Sequence, residues 1–468
     1  MSGIRIRYLS FFFGLISILS LLNVAFSYQL DLHLNLNTYY ISFISSIIIG
    51  VTFYYFEKIK LKVTIFDKIL TVFSGYLILP IILCLPFYFS IYDLTFLNAY
   101  FESVSGFTST GFTIFENIKY IDQSLILWRS TIQWVGGLYF LFSIIYLIDI
   151  YDENFKKSLT NYLSFSSSEV LKQSFKIFLL YSGLTLFIFI VLNFLLVRYF
   201  NSLNLAFTII SSGGFLPTNN LSDILKNDTQ IVIFSLLLLF SYFSIFFIYN
   251  LFFIRKKNIN FFYEDVHLIF YYLIIVSIFF IFFSYQNDFS KILLSISSSM
   301  SNVGFSLNFD QSNFNFIYLI LVIIGGSFFS TSSGLRLIKV YSLFKYSINQ
   351  ILSFSRPKNI FMNKLIFTKI NFDFSEINKY FLTIIIFVIS LFTLTILLSL
   401  SQLEFESAFK LSILTIMNTV NSSAYGLSDF DFNNLNIFTK NCLILFMIIG
   451  RIELLTILII IKNFLFKD

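Results

Sequence analysis

Charged residues are scarce in this sequence, and their scarcity excludes a soluble globular protein. They make up 12% of the 468 residues, whereas 57% of the residues are hydrophobic. An average soluble domain is about 25% charged. Because no soluble core could bury so much apolar surface, the composition predicts an all-α polytopic membrane protein.

Cysteine and histidine are nearly absent, which argues against disulfide, metal and catalytic chemistry. Cys84 and Cys442 lie in apolar runs without motif spacing, a pattern typical of buried thiols. His33 and His267 are far apart and lack the spacing of zinc ligands. The sequence also contains no P-loop or Rossmann glycine pattern. It predicts no enzyme and no organic cofactor, and the net charge of +6 is ascribed to cytoplasmic loops, not nucleic-acid binding.

Long apolar runs are abundant. A run of about 20 apolar residues can cross the hydrocarbon core of a bilayer. The sequence contains ten such runs, at roughly 8–27, 39–56, 69–90, 128–149, 173–198, 229–254, 263–284, 314–340, 378–401 and 436–463. No small-residue cleavage motif clearly ends the first run, which is interpreted as a retained helix and not as a signal peptide.

Lysine and arginine clusters predict the orientation of these runs. If the ten spans alternate, the clusters at 58–68, 156–172, 255–257 and 345–369 all fall on one side of the membrane. The positive-inside rule assigns that side to the cytoplasm. The sequence therefore predicts a multi-pass protein of the bacterial inner membrane, surrounded by lipids, with both termini in the cytoplasm.

The outer segments after the third, fifth, seventh and ninth spans share a pattern. Each begins with an apolar stretch too short to cross the membrane and continues into Gly, Ser, Thr and Asn; the stretches are 94–105, 203–211, 292–301 and 408–420. Such stretches are typical of re-entrant half-helices, whose irregular continuation must line a cavity or be buried in protein. If Gly111, Gly213, Gly304 and Ala424 are equivalent, the unit recurs about every hundred residues, as in transport proteins with internal symmetry.

This recurrence predicts four pseudo-symmetric helix–pore-loop–helix repeats around one pore, preceded by two extra transmembrane helices. The predicted division is 1–62 for the two N-terminal helices, then 63–157, 158–257, 258–350 and 351–468 for the repeats. Backbone carbonyls can replace the hydration shell of a cation when the chain runs along a pore axis. Glycine permits the required φ/ψ angles, and half-helices direct their negative C-terminal ends toward the ion.

Four motifs at these positions resemble the Trk/Ktr/HKT potassium-transporter superfamily. Segment 103–111 is similar to its first pore loop, and 128–137, with the sequence WRSTIQWVGG, is similar to the start of the helix that follows. Segment 325–336 resembles the broken helix of the third repeat, and 449–453 resembles the Gly-Arg-x-Glu of the last helix. The two extra N-terminal spans are similar to TrkH-type subunits.

The resemblance implies a function, namely K⁺ uptake through a channel-like filter, and the residues that carry it. The implied K⁺ filter consists of Thr108, Ser109, Thr110 and Gly111; Ser211, Ser212 and Gly213; Asn302, Val303 and Gly304; and Asn421, Ser422, Ser423 and Ala424. The implied intramembrane gate consists of Gly325, Gly326, Ser330, Thr331, Ser332, Ser333 and Gly334, with Arg451 beside the pore. The implied partners are a second copy of the chain and a cytosolic TrkA-like regulatory subunit that binds NAD or ATP.

Two departures from the family pattern bear on selectivity between K⁺ and Na⁺. Ala424 stands where the family usually has the fourth filter glycine, and Asn302-Val303 replaces a more usual Thr-Thr. Ala lacks the freedom of Gly to adopt positive φ. The inner helix of the second repeat also lacks the Gly-Gly found at 136–137 and 325–326.

Several ionisable residues have two open interpretations. Arg451 either repels cations below the filter or forms a buried salt bridge, for instance with Glu453. Arg336 and Lys339 either snorkel to the cytoplasmic surface or respond to the position of the gate. Arg129 is interpreted as an interfacial anchor. Further out, Asp93 and Glu102 are either solvated charges or attract cations to the mouth.

Two other functions compete with a K⁺ channel. A coupled secondary transporter, driven by Na⁺ or H⁺ or less selective among monovalent cations, would use the Gly/Ser loops as one substrate site. A membrane-embedded transferase would need acidic or histidine pairs near a membrane face. The sequence offers one Asp-x-Asp, 429–431, which a solvated acidic loop explains more simply.

Overall fold

The computed structural model describes residues 6–56, 64–147, 170–253, 263–283, 289–307, 314–353, 374–427 and 430–452. The described chain is almost entirely helical, which confirms the predicted all-α class. The exception is a two-residue parallel strand pair, β1 Ile324–Gly325 and β2 Leu335–Arg336.

Two N-terminal helices precede the repeating part and are anchored to it by buried polar contacts. They are α1 Ile6–Gln29 and α2 Leu36–Phe56, and they pack closely against each other. Asn23 donates to the Ser124 carbonyl at 3.1 Å, and the Tyr39 hydroxyl lies 2.9 Å from Ser124 Oγ. Because such bonds are directional, they fix how the pair packs against the repeats.

The remaining helices fall into four sets, each made of a long helix, a half-helix and a second helix. The first set is α3 Ile65–Leu83, continued by the short α4 Leu85–Tyr88, then α5 Phe96–Phe107 and α6 Gln123–Tyr146. The second is α7 Val170–Phe194, α8 Tyr199–Ser211, α9 Asp228–Tyr242 and α10 Ile245–Phe253. The third is α11 Tyr263–Phe283, α12 Phe289–Met300, α13 Asn315–Ile323 and α14 Leu337–Ser353, and the fourth is α15 Phe374–Leu400, α16 Phe405–Ile416 and α17 Ile437–Arg451.

Six helices in the described part are long and apolar enough to cross a membrane. They comprise the two N-terminal helices and the long first helix of every set: Tyr8–Gln29, Leu36–Tyr55, Ile65–Tyr88, Ser174–Phe194, Glu264–Phe282 and Ile377–Leu400. The half-helices have 12 or 13 residues. At 1.5 Å per residue they span about 18–20 Å, less than the ~30 Å hydrocarbon core.

Two predicted spans are not continuous helices: the break in the first was not predicted, whereas the resemblance implied the break in the second. The run 229–254 is broken between α9 and α10, where the Ser244 N–H donates to Asp265 at 2.8 Å. The run 314–340 is broken between α13 and α14 by the polar segment 324–336. In both cases partners outside the helix satisfy the backbone groups that the break frees, as a buried break requires.

The four sets close into a ring. Helix α6 of the first set packs against α8 of the second, and α9 of the second packs against α12 of the third. In turn α13 packs against α16 of the fourth set, and α17 returns to α5 of the first. The half-helices therefore point their C-terminal ends toward a common centre, which confirms four repeats around one axis.

Candidate cation pathway

The four half-helices end in the same backbone conformation. At the first or second position beyond the end of each helix, a residue adopts the left-handed region, with φ 59° at Ser109, 57° at Ser212, 59° at Asn302 and 49° at Asn418. Left-handed residues other than glycine are uncommon, and Asn is among those that tolerate the conformation. Because all four repeats have such a residue in the same position, the repeats share the backbone dihedral angle φ as well as the order of their helices.

Hydrogen bonds confirm this equivalence. The residue after each left-handed residue donates its N–H to the carbonyl five residues earlier, in a Schellman motif. These bonds are Thr110 to Ser105 at 2.9 Å, Gly213 to Thr208 at 2.8 Å, Val303 to Ser298 at 3.1 Å, and Thr419 to Leu414 at 2.9 Å. The motif satisfies some of the last helical carbonyls and turns the chain along the central axis.

The geometry changes the predicted alignment of two loops. Counting from the left-handed residue, the position of Gly111 and Gly304 is occupied by Gly214 in the second loop, whereas the sequence predicted Gly213. In the fourth loop it is occupied by Val420, whereas the sequence predicted Ala424. Alignment on glycine failed because the fourth loop has no glycine at this position. The Asn418-Thr419 pair, comparable to Ser109-Thr110, was the signal that would have found it.

The residues predicted for the fourth loop lie further along the chain, outside the ring. Asn421, Ser422 and Ser423 line the space above it, and Ala424 is buried in a short 3₁₀ helix, Ser423–Tyr425. The predicted residues of the other three loops lie at the ends of their half-helices, where Thr108 Oγ1 bonds to the Val104 carbonyl at 2.8 Å. Their role in ion binding stays a prediction.

Side chains connect neighbouring loops around the ring. Gln133 of α6 accepts the Phe215 N–H of the second loop at 3.4 Å, and Ser212 donates to the Ser301 carbonyl of the third at 2.5 Å. Two further bonds complete the circle: Asn302 to Thr419 Oγ1 at 3.3 Å, and Asn418 to Thr110 Oγ1 at 3.0 Å. The backbone of one loop is thus braced by the next.

The loops leave little free space between them. Gly111, with φ +83°, adopts a conformation that L side chains rarely take, and a methyl group on it would lie 2.6 Å from the Gly214 Cα. Glycine is required there for both reasons. Ser109, Thr110, Ser212, Asn302 and Asn418 are fully buried. The ring is therefore narrow, and backbone and small polar side chains form most of its lining.

A cavity of about 390 Å³ lies on the side of the ring that the predicted orientation places outside the cell, and it reaches all four loops, at Gly111, Gly214, Gly304 and Val420. Its wall also includes Glu116 and Asp431, and it opens toward the segments between the half-helices and the second helices. It has the position of an outer vestibule.

The first loop is supported by a buried ion pair that the sequence did not predict. Arg129 Nε donates to Glu102 at 2.8 Å, and the two side chains are 1% and 0% exposed. Glu102 also accepts the Ile114 N–H at 2.9 Å and the Thr113 hydroxyl at 3.1 Å. The guanidinium packs 4.1 Å over the ring of Phe215. Glu102 is therefore neither a solvated charge nor a cation attractor at the mouth, and Arg129 is not an interfacial anchor. These predictions are wrong because the two charges pair with each other inside the protein.

On the inner side, the segment predicted as a gate forms a loop beneath the ring. The strand pair β1–β2 joins the two ends of this loop. The Thr331 hydroxyl donates to the Ile210 carbonyl at 2.7 Å, at the end of the second half-helix. Ser333 lies 3.3 Å from Asn418 Oδ1. Within the loop, the Gly326 N–H donates to Ser332 Oγ at 2.9 Å, and Ser330 and Ser332 are hydrogen-bonded to each other. The loop thus contacts two of the four filter-forming segments directly.

Arg336 holds this loop from within and does not reach the cytoplasmic surface. The side chain is 4% exposed, and its Nη1 donates to the Ser327 carbonyl at 2.6 Å and the Ser332 carbonyl at 3.2 Å. Lys339 is also buried. The snorkelling interpretation is therefore wrong for Arg336, since its guanidinium binds carbonyls that the broken helix leaves unpaired. The burial of Lys339 argues against snorkelling there as well.

Arg451 lies between the ring and the intramembrane loop. It is 1% exposed, and its Nη1 donates to Ser333 Oγ at 2.6 Å. Its Nη2 lies 3.4 Å from Ser109 Oγ and 3.5 Å from the Ser211 carbonyl. Glu453, its suggested partner, is outside the described residues. These three partners of Arg451 are neutral, so none of them compensates its positive charge below the loops.

An acidic pair at the start of α11 anchors both helix breaks, and the sequence interpretation missed it. Glu264 accepts the Phe328 N–H at 3.0 Å, and Asp265 accepts the Ser244 N–H at 2.8 Å. Both carboxylates are buried. The sequence feature that could have revealed this pair is two adjacent acidic residues at the edge of an apolar run. They join the break in the second repeat to the loop of the third, where the Ile245 N–H also donates to the Phe329 carbonyl at 3.1 Å.

Comparisons with known proteins agree with this architecture. The chain is 22% identical over 410 residues to an uncharacterized cation transporter of Methanocaldococcus jannaschii, covering 84% of this chain and 81% of that protein. It is 22% identical over 464 residues to the Trk system potassium uptake protein TrkG of Escherichia coli, covering 93% and 92%. A shorter match, 42% over 65 residues, links it to TrkI of Halomonas elongata and covers 14% of this chain. No family model matches the chain.

Its fold is also that of a solved structure. The crystal structure of the potassium transporter TrkH from Vibrio parahaemolyticus superimposes with a TM-score of 0.84, over 98% of both chains and at 18% identity. Similarity in sequence along most of the chain and a shared fold along nearly all of it confirm the predicted resemblance to Trk-type potassium transporters, and the chain is a multi-pass membrane protein.

Proposed function

We propose that this protein conducts K⁺ into the cell through a filter formed where the four loops meet. The observation that carries the proposal is the fourfold repetition of a half-helix, a Schellman motif and a left-handed residue around one closed ring. Each half-helix directs its partial negative charge at the centre, where a dehydrated cation needs oxygen ligands. The potassium transport named for its relatives supports K⁺ as the ion.

The filter residues follow from the equivalence of the loops. They are Ser109, Thr110 and Gly111; Ser212, Gly213 and Gly214; Asn302, Val303 and Gly304; and Asn418, Thr419 and Val420. In the proposed filter, the carbonyls of these residues would supply the oxygen ligands between the outer vestibule and the intramembrane loop. The burial of this ring supports the proposal, because a dry filter strengthens the attraction between carbonyl dipoles and a cation.

Segment 325–334 is proposed as the gate. Its loop lies directly on the inner side of the ring, and a cavity of about 40 Å³ lies there between Ser333, Met417 and Gly450. Arg451 sits at the junction, where its charge opposes the arrival of a cation.

The assembly is proposed from the resemblance. A second copy of the chain and a cytosolic TrkA-like subunit that binds NAD or ATP would complete the transporter, the latter acting on the inner side where the loop lies. The basic clusters assign both termini to the cytoplasmic side of the inner membrane. The repeat boundaries at 62, 157, 257 and 350 stay a prediction.

Growth of a potassium-uptake-deficient bacterium on low K⁺ tests the function, with uptake of radioactive Rb⁺ as the direct measurement. The wild-type chain should rescue growth, and Gly111→Asp or Gly111→Ala should not. The matched control is Gly183→Ala, because a methyl group on Gly183 meets open space. Rescue that survives both changes at Gly111, at equal protein amounts, overturns the filter assignment.

The second candidate, a coupled secondary transporter, is distinguished by its driving force. Purified protein in vesicles should pass K⁺ under a membrane potential alone, without a Na⁺ or H⁺ gradient, if it is channel-like. Uptake that requires one of those gradients favours coupling instead.

A further inference from the structure

The glycine layer of the filter has one exception, and it lies in the fourth loop. Three loops carry glycine at the third position, Gly111, Gly214 and Gly304, whereas the fourth carries Val420. Gly111 and Gly304 both have φ +83°, while Val420 keeps a negative φ. A β-branched residue is strongly disfavoured at positive φ. The fourth loop therefore cannot repeat the backbone of the first and third at this layer.

The side chain of Val420 lies inside the ring. A methyl group added to Gly214 would collide with Val420 Cβ and lie 3.0 Å from both of its γ-methyl groups. One added to Gly304 would lie 2.8 Å from Val420 Cγ1. Val420 also lines the outer vestibule together with the three glycines.

The contact with Gly214 crosses the centre of the ring. Hydrogen bonds join the second loop to the third, the third to the fourth and the fourth to the first. Gln133 of α6 in the first set binds the second loop. Loops two and four are therefore not neighbours, and a side chain of one that reaches the other must pass over the axis. Because Val420 borders the vestibule, its side chain lies in the outermost layer of the filter.

We infer that Val420 narrows the outer entrance of the filter and limits the rate at which ions enter it. This inference rests on the proposed function. A branched apolar side chain offers a cation no oxygen ligand, and its χ1 angle is stiff. An ion that enters the filter must displace it or pass beside it after losing water. The entrance should therefore limit flux according to the volume of the side chain at this position.

The test is a series at this position, Val420→Gly, Val420→Ala and Val420→Ile, assayed by Rb⁺ uptake per amount of membrane-inserted protein. Uptake should rise several-fold from valine to alanine to glycine and fall below wild type with isoleucine. Val388→Ala is the matched control, since Val388 is 42% exposed on the outer face of α15. Equal uptake in wild type, Val420→Ala and Val420→Gly would overturn the inference.

A second measurement does not depend on flux. In the Val420→Cys variant, a small external thiol reagent should modify the protein, and K⁺ in the medium should slow the modification. The wild-type chain with Cys84 and Cys442 is the reagent control. No modification, or modification unaffected by K⁺, contradicts the position at the filter entrance. If the wild type shows no uptake, the proposed function fails, whereas a reactive, K⁺-protected thiol in Val420→Cys still supports the placement.

Discussion

Arg451 donates from Nη1 to Ser333 Oγ at 2.6 Å, which joins the last helix of the ring to the loop beneath it. The same guanidinium lies within 3.5 Å of Ser109 and Ser211, at the ends of two half-helices. One positive charge therefore contacts both the filter segments and the segment proposed as the gate.

Removing this charge should raise cation flux. Arg451→Gln keeps a hydrogen-bond donor toward Ser333 but removes the repulsion of a cation leaving the filter, whereas Arg451→Lys keeps the charge. We expect several-fold faster Rb⁺ uptake with Gln and near wild-type uptake with Lys. Unchanged uptake by Gln, together with loss of folded protein, would indicate a structural role.

The ion pair between Glu102 and Arg129 should contribute strongly to stability. Removing one partner of a buried pair leaves an unpaired charge and costs about 3–5 kcal/mol. We expect Glu102→Gln and Arg129→Gln each to lower the unfolding temperature of detergent-solubilised protein markedly, and the double variant to lose less than their sum. Glu406→Gln is the control and should leave stability nearly unchanged, because the Glu406 side chain is 77% exposed in its pair with Lys410. Additive effects would argue against direct pairing.

The position of the fourth filter segment can be tested with two asparagines. Asn418 is left-handed and donates to both Thr110 Oγ1 and the Met447 carbonyl, whereas Asn421 donates to the Leu427 carbonyl outside the ring. Alanine at a left-handed position costs about 1–2 kcal/mol. We expect Asn418→Ala to reduce uptake strongly and Asn421→Ala to reduce it little. A stronger loss of uptake with Asn421→Ala than with Asn418→Ala would instead support residues 421–424 as the fourth filter segment, as predicted from the sequence.

Glu264 and Asp265 should restrain the intramembrane loop. Glu264→Ala removes the acceptor of the Phe328 N–H. A buried unsatisfied donor costs about 1–3 kcal/mol, which favours other loop conformations. We expect higher basal uptake from Glu264→Ala and Asp265→Ala, measured without added nucleotide. Glu404→Ala, an exposed residue at the start of α16, is the control. Lower uptake from both variants would show that the pair holds the open form.

The sequence by itself determined the class, the four sets of helices and the position of the half-helices. These features depend on apolar run length and on charge distribution, which are local and are set by the thickness of the bilayer. The same patterns located the polar segment 325–334, because ten residues rich in Ser and Gly stand out in an apolar run.

Only the tertiary structure decided which residues meet. Glu102 and Arg129 are 27 residues apart and looked like separate surface charges, yet burial in the folded ring makes each the partner of the other. The alignment of the fourth loop was also decided in three dimensions. Glycine is a sequence marker of positive φ, and the fourth loop has none at this layer, so only the repeated hydrogen bonds at Asn418 and Thr419 revealed that Val420 stands there.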